Sequence, residues 1–144
     1  PVSSSRWTGH PMILVDASVW IDYFRGTQSP QTDQLDALLE QADEELGVAD
    51  LVVFEVLRGF RSVAEQRRAK AVLLNATVVD IGGLDNALCA TEHHHALRAK
   101  GYTIRSPIDV LLASYCITHG HMLLHRDADF DVLKTLRGLQ TWPH

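Results

Sequence analysis

Two rhythms of apolar spacing run along this chain, short unbroken apolar runs and stretches in which apolar residues recur every three or four positions. The first run, Met12 to Val15, ends at Asp16, and Ser18 then opens a stretch with Val19, Trp20, Tyr23 and Phe24 at helical spacing. That order predicts strand, turn, helix. A polar segment containing Gly26 and Pro30 leads into a second helix carrying Leu35, Leu38, Leu39 and Ala42, and Leu46 to Ala49 predicts a second strand. Asp50 is placed to cap a third helix through Leu51, Phe54 and Leu57, which Gly59 loosens before a basic helix runs on to Leu74. Ala76 to Ile81 predicts a strand, and Leu84 to Lys100 a helix that Gly101 ends. Ser106 as cap, Pro107 in the first helical position and Asp109 three residues after the cap start a further helix, which reaches His119 with Gly120 as its stop. His121 to His125 is the last clear buried strand. Asp127, Asp129 and a helix from Phe130 to Leu136 follow it, and Leu139 to Trp142 predicts an edge strand.

Strands alternating with helices throughout predict an α/β sandwich of three layers, a mainly parallel central sheet flanked by helices. With 144 residues and 46% hydrophobic content, one core and one domain are expected. The apolar pattern begins at Met12, so the domain is read as 12–144 and residues 1–11 as an added or unstructured extension. No apolar run approaches the roughly 18 residues of a membrane span, and the N-terminus lacks a secretory pattern, so a soluble cytoplasmic protein is expected. Cys89 and Cys116 lack the paired spacing of a zinc or redox site and are read as reduced residues on helix faces.

A formal charge of −5 argues against a protein that holds nucleic acid on a broad basic surface, but not against a nuclease whose acids surround cations. In a parallel sheet, ligands gather beyond the carboxyl ends of the strands. Asp16 ends the first strand and Asp127 follows the last apolar strand, so both fall at that edge. Glu55 and Asp109, read as lying near two helix starts, open onto it as well. Clustered carboxylates raise one another's pKa unless protons or cations neutralise them, and oxygen-only donors suit Mg²⁺ or Mn²⁺. Such an ion can acidify a bound water and stabilise charge on a phosphate oxygen, which points to phosphodiester hydrolysis. Each acid also has a plain reading: Asp109 as the acid of a capping box, Asp16 as a turn residue, Glu55 as a solvated helix position, Asp129 as an N-cap.

The segments ILVDASVWIDYF (13–24), FEVLRG (54–59), RSPIDVLLASYCITHG (105–120) and LLHRDADFDVL (123–133) resemble PIN domains of VapC-type toxins, from Met12 to the C-terminus in the expected order. The resemblance implies a PIN-like fold and a Mg²⁺- or Mn²⁺-dependent endoribonuclease, the toxin of a toxin–antitoxin pair restrained by a small antitoxin protein, with a homodimer as the first guess. Its metal-binding acids map onto Asp16, Glu55, Asp109 and Asp127, with Asp129 as a fifth member. Ser18 resembles the family's hydroxyl that orders the first acid or a bound water. Arg105 and Arg126 flank two of the acids, where they would meet RNA phosphate or an antitoxin group, or form ordinary ion pairs.

Other residues invite weaker readings. The basic run from Arg58 to Lys70 either tracks RNA or is a wet helix face, and the latter is the commoner meaning. His93, His94 and His95 point in different directions on a helix and are expected to be exposed, while His125 is read as a histidine supporting the acid site. Trp20, Tyr23, Phe24, Leu38 and Leu39 are either core or a groove for a partner. Two rival functions remain: a Mg-dependent phosphatase or phosphotransfer domain using Asp16 as nucleophile, and a non-catalytic RNA- or partner-binding module.

Overall fold

A computed structural model describes residues 10–41 and 43–143, and within them every predicted element is present. The order is β1 (Ile13–Val15), α1 (Ala17–Arg25), α2 (Pro30–Glu40), β2 (Leu46–Ala49), α3 (Asp50–Leu57), α4 (Val63–Leu73), β3 (Thr77–Val79), α5 (Leu84–Ala99), α6 (Pro107–His119), β4 (Met122–Leu124), α7 (Ala128–Arg137) and β5 (Gln140–Thr141). Most of the extension expected at residues 1–11 lies outside the described residues, as does Ala42. His10, within that extension, stands 2.6 Å from Glu45.

All five strands are parallel, in the order β3-β2-β1-β4-β5. The first two crossovers step from β1 towards β3, and the next two return to the other side of β1 and continue to β5. Because such crossovers are right-handed, the direction of the step decides the face on which helices lie. The packing agrees: α1 contacts α2 and α3, α3 contacts α4, and α5, α6 and α7 contact one another. The sheet is therefore the middle of three layers. Its β1, β2 and β4 residues are almost wholly buried, as parallel strands covered on both faces should be. Strand order reverses between β1 and β4, which makes their carboxyl ends the switch point at which this class of fold forms its ligand crevice.

Local chemistry accounts for the helix ends. Ser29 caps α2 in a reciprocal capping box with Thr32, and Gly101 and Gly120 take the left-handed φ of 88° and 72° that ends α5 and α6. One predicted cap is corrected. Ala49 occupies the N-cap of α3, and Asp50 is its first residue, because the Asp50 Oδ1 accepts the Ile81 amide at 3.0 Å and so ties α3 to the chain leaving β3. Among the described residues no helix is long and apolar enough to cross a membrane.

Trp20 and Leu38 are core residues, with Tyr23, Phe24 and Leu39 packed around that core, so the plain reading of these apolar helices holds. Phe24 stacks with Trp20 at 5.9 Å and meets Phe60 edge-on at 5.9 Å, which anchors α1 against the α3–α4 side. Cys116 is buried and Cys89 half-buried, both as free thiols.

His121 is fully buried, and its Nδ1 accepts the Met12 amide at 2.9 Å, joining β4 to the start of β1. Burial, with His119 nearby, holds its pKa down at about 4. His121→Phe should leave that amide unsatisfied and cost about 1–3 kcal/mol in urea unfolding at pH 7.5. The native protein prefers a neutral imidazole, so the wild type should lose stability as pH falls from about 6.5 to 4. The variant should lack that step, and equal acid limbs in the two proteins would refute the account.

Candidate metal centre

Asp16 sits where β1 becomes α1. Its amide donates to the Leu124 carbonyl at 3.0 Å, extending the β1–β4 ladder by one bond and fixing the residue at the switch point. Only 4% of Asp16 is exposed. Burial pushes its carboxyl pKa up, while the Ser18 hydroxyl, which donates to Asp16 Oδ2, and the amides of Ser18 and Ala17 pull the other way. The Ser18 hydroxyl thus holds one oxygen of the Asp16 carboxylate.

Asp127 lies three residues beyond β4 and is the N-cap of α7, its Oδ1 accepting the Asp129 amide at 2.9 Å. The capping role expected of Asp129 therefore belongs to Asp127, since the helix starts at Ala128, two residues before Phe130. Asp127's own amide donates to His125 Nδ1 at 3.2 Å, and the His125 ring packs against Phe130 at 5.0 Å. With Nδ1 accepting, the imidazole proton sits on Nε2, and burial keeps this ring neutral by lowering its pKa. His125 positions the turn that carries Asp127.

Asp109 occupies the first turn of α6, where its amide donates to the Ser106 hydroxyl at 3.3 Å. The reciprocal bond from its carboxylate to the Ser106 amide, which would complete a capping box, is absent among the described residues. The carboxylate is left to the crevice instead. Burial pushes its pKa up to about 7, and the charges of Asp16, Glu55, Asp127 and Asp129 add to the effect in that order. Glu55 is corrected in position: it is the sixth residue of eight in α3, not near the helix start. Burial raises its pKa, and the charge of Asp16 raises it further, so the two carboxyls act on one another. Asp16, Glu55, Asp109, Asp127 and Asp129 thus form one electrostatically linked cluster drawn from four separate segments.

Among the described residues, no three Asp, Glu, His or Cys side chains already form an arrangement able to hold a metal ion. The cluster is nevertheless suited to a hard divalent cation. Its donors are all oxygens, it carries several mutually opposed negative charges, and Mg²⁺ takes only one or two carboxylates directly while reaching others through water. Asp and Glu side chains can turn between staggered rotamers to meet it.

The two arginines differ. Arg126 Nε lies 2.7 Å from the half-buried Asp22, so it forms an ion pair between the turn after β4 and α1. Arg105 lies at the mouth of a cavity beside the start of α6. Asp22 was not singled out from the sequence, although its spacing of four from Ser18 places both on one helical face, turned to the site. Asn86 was also missed. Its side-chain amide donates to the Ile81 and Leu111 carbonyls at 2.7 and 3.0 Å, bracing α6 against the end of β3, and no local pattern marks such a contact. His93 and His94 prove half-buried rather than exposed, and His93 Nδ1 accepts from Arg137 Nε at 2.9 Å.

Comparison with known proteins places this arrangement in a wider group. The chain is 30% identical over 129 residues to VapC ribonuclease Mb1587 of Mycobacterium bovis, an alignment covering 90% of this chain and 96% of that protein. The same figures hold for ribonuclease VapC11 of Mycobacterium tuberculosis. Its fold is like that of VapBC2 from Rickettsia felis bound to a DNA fragment from their promoter, with a TM-score of 0.72, 15% identity and coverage of 90% and 96% of the two chains. A toxin–antitoxin complex from Klebsiella pneumoniae gives a TM-score of 0.61 at 20% identity, covering 88% and 94%. The profile of the PIN domain family matches residues 13–136, nearly the whole described structure and all five clustered acids, and the chain belongs to that family.

Proposed function

We propose that this protein is a divalent-metal-dependent endoribonuclease, the cytoplasmic toxin of a toxin–antitoxin pair. What supports this reading is that the charges of Asp16, Glu55, Asp127 and Asp129 all act on the half-buried Asp109, while the Asp16 amide is tied to the end of β4 at the switch point. The likeness over nearly full length to proteins named VapC ribonucleases supports RNA as the substrate, and the likeness in fold to chains of toxin–antitoxin complexes supports an antitoxin partner.

Asp16, Glu55, Asp109 and Asp127 would hold Mg²⁺ or Mn²⁺, with Asp129 as a fifth donor. When bound, the ion supplies a more acidic water and stabilises negative charge on phosphate. The protein's share is placement: Ser18 holds the Asp16 carboxylate in one orientation, His125 and the start of α7 hold Asp127, and the β1–β4 ladder fixes the distance between the two. Arg126, held by Asp22, keeps terminal guanidinium N–H groups for an RNA phosphate or an acidic group of the antitoxin. The exposed Arg61, Arg67, Arg68 and Lys70 offer positive charge along α4 and the turn before it for the RNA backbone. A homodimer is part of the same proposal. A phosphotransfer role for Asp16 is disfavoured because the position two residues on is Ser18 and not a second acid.

The test is incubation of the purified protein with mixed cellular RNA in Mg²⁺, in Mn²⁺ and in chelator. Discrete fragments are expected with either ion and none with chelator, with activity returning when the ion is restored. Intact RNA under every ion, from protein freed of co-purified inhibitor by denaturation and refolding, would turn the reading to a non-catalytic binding module.

A further inference from the structure

A concavity lies between α5 and the start of α6. It encloses about 440 Å³, within the roughly 300–1,000 Å³ typical of small-ligand sites. Its walls are apolar, formed by Ala87, Ala90, Ile104 and Leu111, where the small alanines of α5 leave space against α6. Its mouth is polar and faces solvent, with Thr91, His94 and Arg105 around it. Pro107, two residues before Asp109, is part of the same lining, so the cavity borders the first turn of the helix that carries Asp109.

The geometry points to this cavity as a nucleotide subsite of the RNA-cleaving centre, one that seats the base of a nucleotide flanking the scissile phosphate. The inference rests on the ribonuclease reading. Apolar walls suit the faces of a base, and imidazole and guanidinium are the planar groups on which unpaired RNA bases stack. A chain of net charge −5 with five acids clustered nearby must meet a polyanion with local positive charge, and Arg105 supplies it at this mouth. A strand crossing the start of α6 would then have one phosphate at the acids and a neighbouring base in the cavity. Base preference at the cut would be set by the fit in the cavity, not by the carboxylates.

The experiment compares wild type with Thr91→Phe and Ala87→Phe, which fill the cavity from its mouth and its wall, and with His94→Ala. Thr91 is exposed, so its variant should fold, and melting curves check all three. Each protein is given a random-sequence single-stranded RNA pool with Mg²⁺, and the bases at the fragment ends are counted. Metal-dependent cutting should survive in the filled variants, while preference at one flanking position falls roughly tenfold, the effect of losing one stacked base. Unchanged fragment ends in both filled variants would overturn the subsite while leaving the nuclease intact. If wild type cuts nothing, the ribonuclease reading fails by itself. The cavity is then judged by anisotropy of a labelled mixed-sequence oligoribonucleotide: roughly tenfold weaker binding to Thr91→Phe supports it, and equal affinity refutes it.

Discussion

Asp16→Asn should fold normally, melt no lower than wild type at pH 7.5, and lose metal-dependent RNA cleavage by at least about 10³-fold, on the scale of removing a principal electrostatic contact from an active site. The two halves of this expectation have one cause. The Asp16 carboxylate is almost wholly desolvated, and burial raises its pKa, so the folded chain bears a cost for keeping it charged. Asparagine keeps the shape and can still accept the Ser18 hydroxyl bond, but it removes the charge, and with it both the cost and a carboxylate proposed to hold the ion. Loss of activity with retained or increased stability is the pattern of a residue kept for function against folding. Fragment yield in Mg²⁺ and a thermal melt on the same preparation measure the two together. Residual cleavage near the wild-type level would move the centre of the site away from Asp16. A melting point lowered by many degrees would show instead a structural carboxylate.

The fold was legible because its signals are local and repeated. Three-to-four-residue strands such as MLL (122–124) are unbroken apolar runs, and Ser106-Pro107 and Gly120 bracket α6 in the chemistry that helix ends require. Errors came where a polar side chain had a distant partner. Asp50 looked like a cap because caps are the usual task of an acid before a helix, but its partner, the Ile81 amide, is 31 residues away. Glu55 lies five residues after Asp50, close to the helix start along the chain, yet in a helix of eight residues that is already the second turn.

The site was legible to a different degree. Strand-end positions of Asp16 and Asp127 follow from parallel topology, and the topology follows from alternation of elements. What sequence could not supply was the support around them. Asp22 pairing with Arg126, Asn86 bridging two carbonyls and His125 receiving the Asp127 amide are contacts between segments, each decided by packing, not by spacing along the chain. The cavity beside Arg105 is similar, since Ala87 and Ala90, three residues apart, read only as good helix sequence until α6 is laid against them.

Asp109→Asn should raise the melting temperature at pH 8 while leaving it nearly unchanged at pH 4. In the unfolded chain this carboxyl ionises near 3.8, whereas burial and the neighbouring acids hold it at about 7 in the folded protein. Between those values the folded state keeps a proton that the unfolded state has released, so raising the pH draws the equilibrium towards unfolding. The wild type therefore loses stability progressively from about pH 4 to 7, and above 7 the loss is complete. Asparagine cannot ionise and escapes it. Because Asp109 is only half-buried and solvent screens part of the repulsion, the expected gain is about 1–2 kcal/mol, or roughly 3–8 °C for a domain of this size. A divalent ion should reverse the order of benefit. Saturating Mg²⁺ at pH 8 binds the folded wild type and raises its melting point, and it should raise that of Asp109→Asn less, because one donor has gone. A variant equal to wild type at pH 8 without ion would mean that the acids are too far apart to repel. A variant that responds fully to Mg²⁺ would remove Asp109 from the ion's site and leave Asp16, Glu55 and Asp127 to form it.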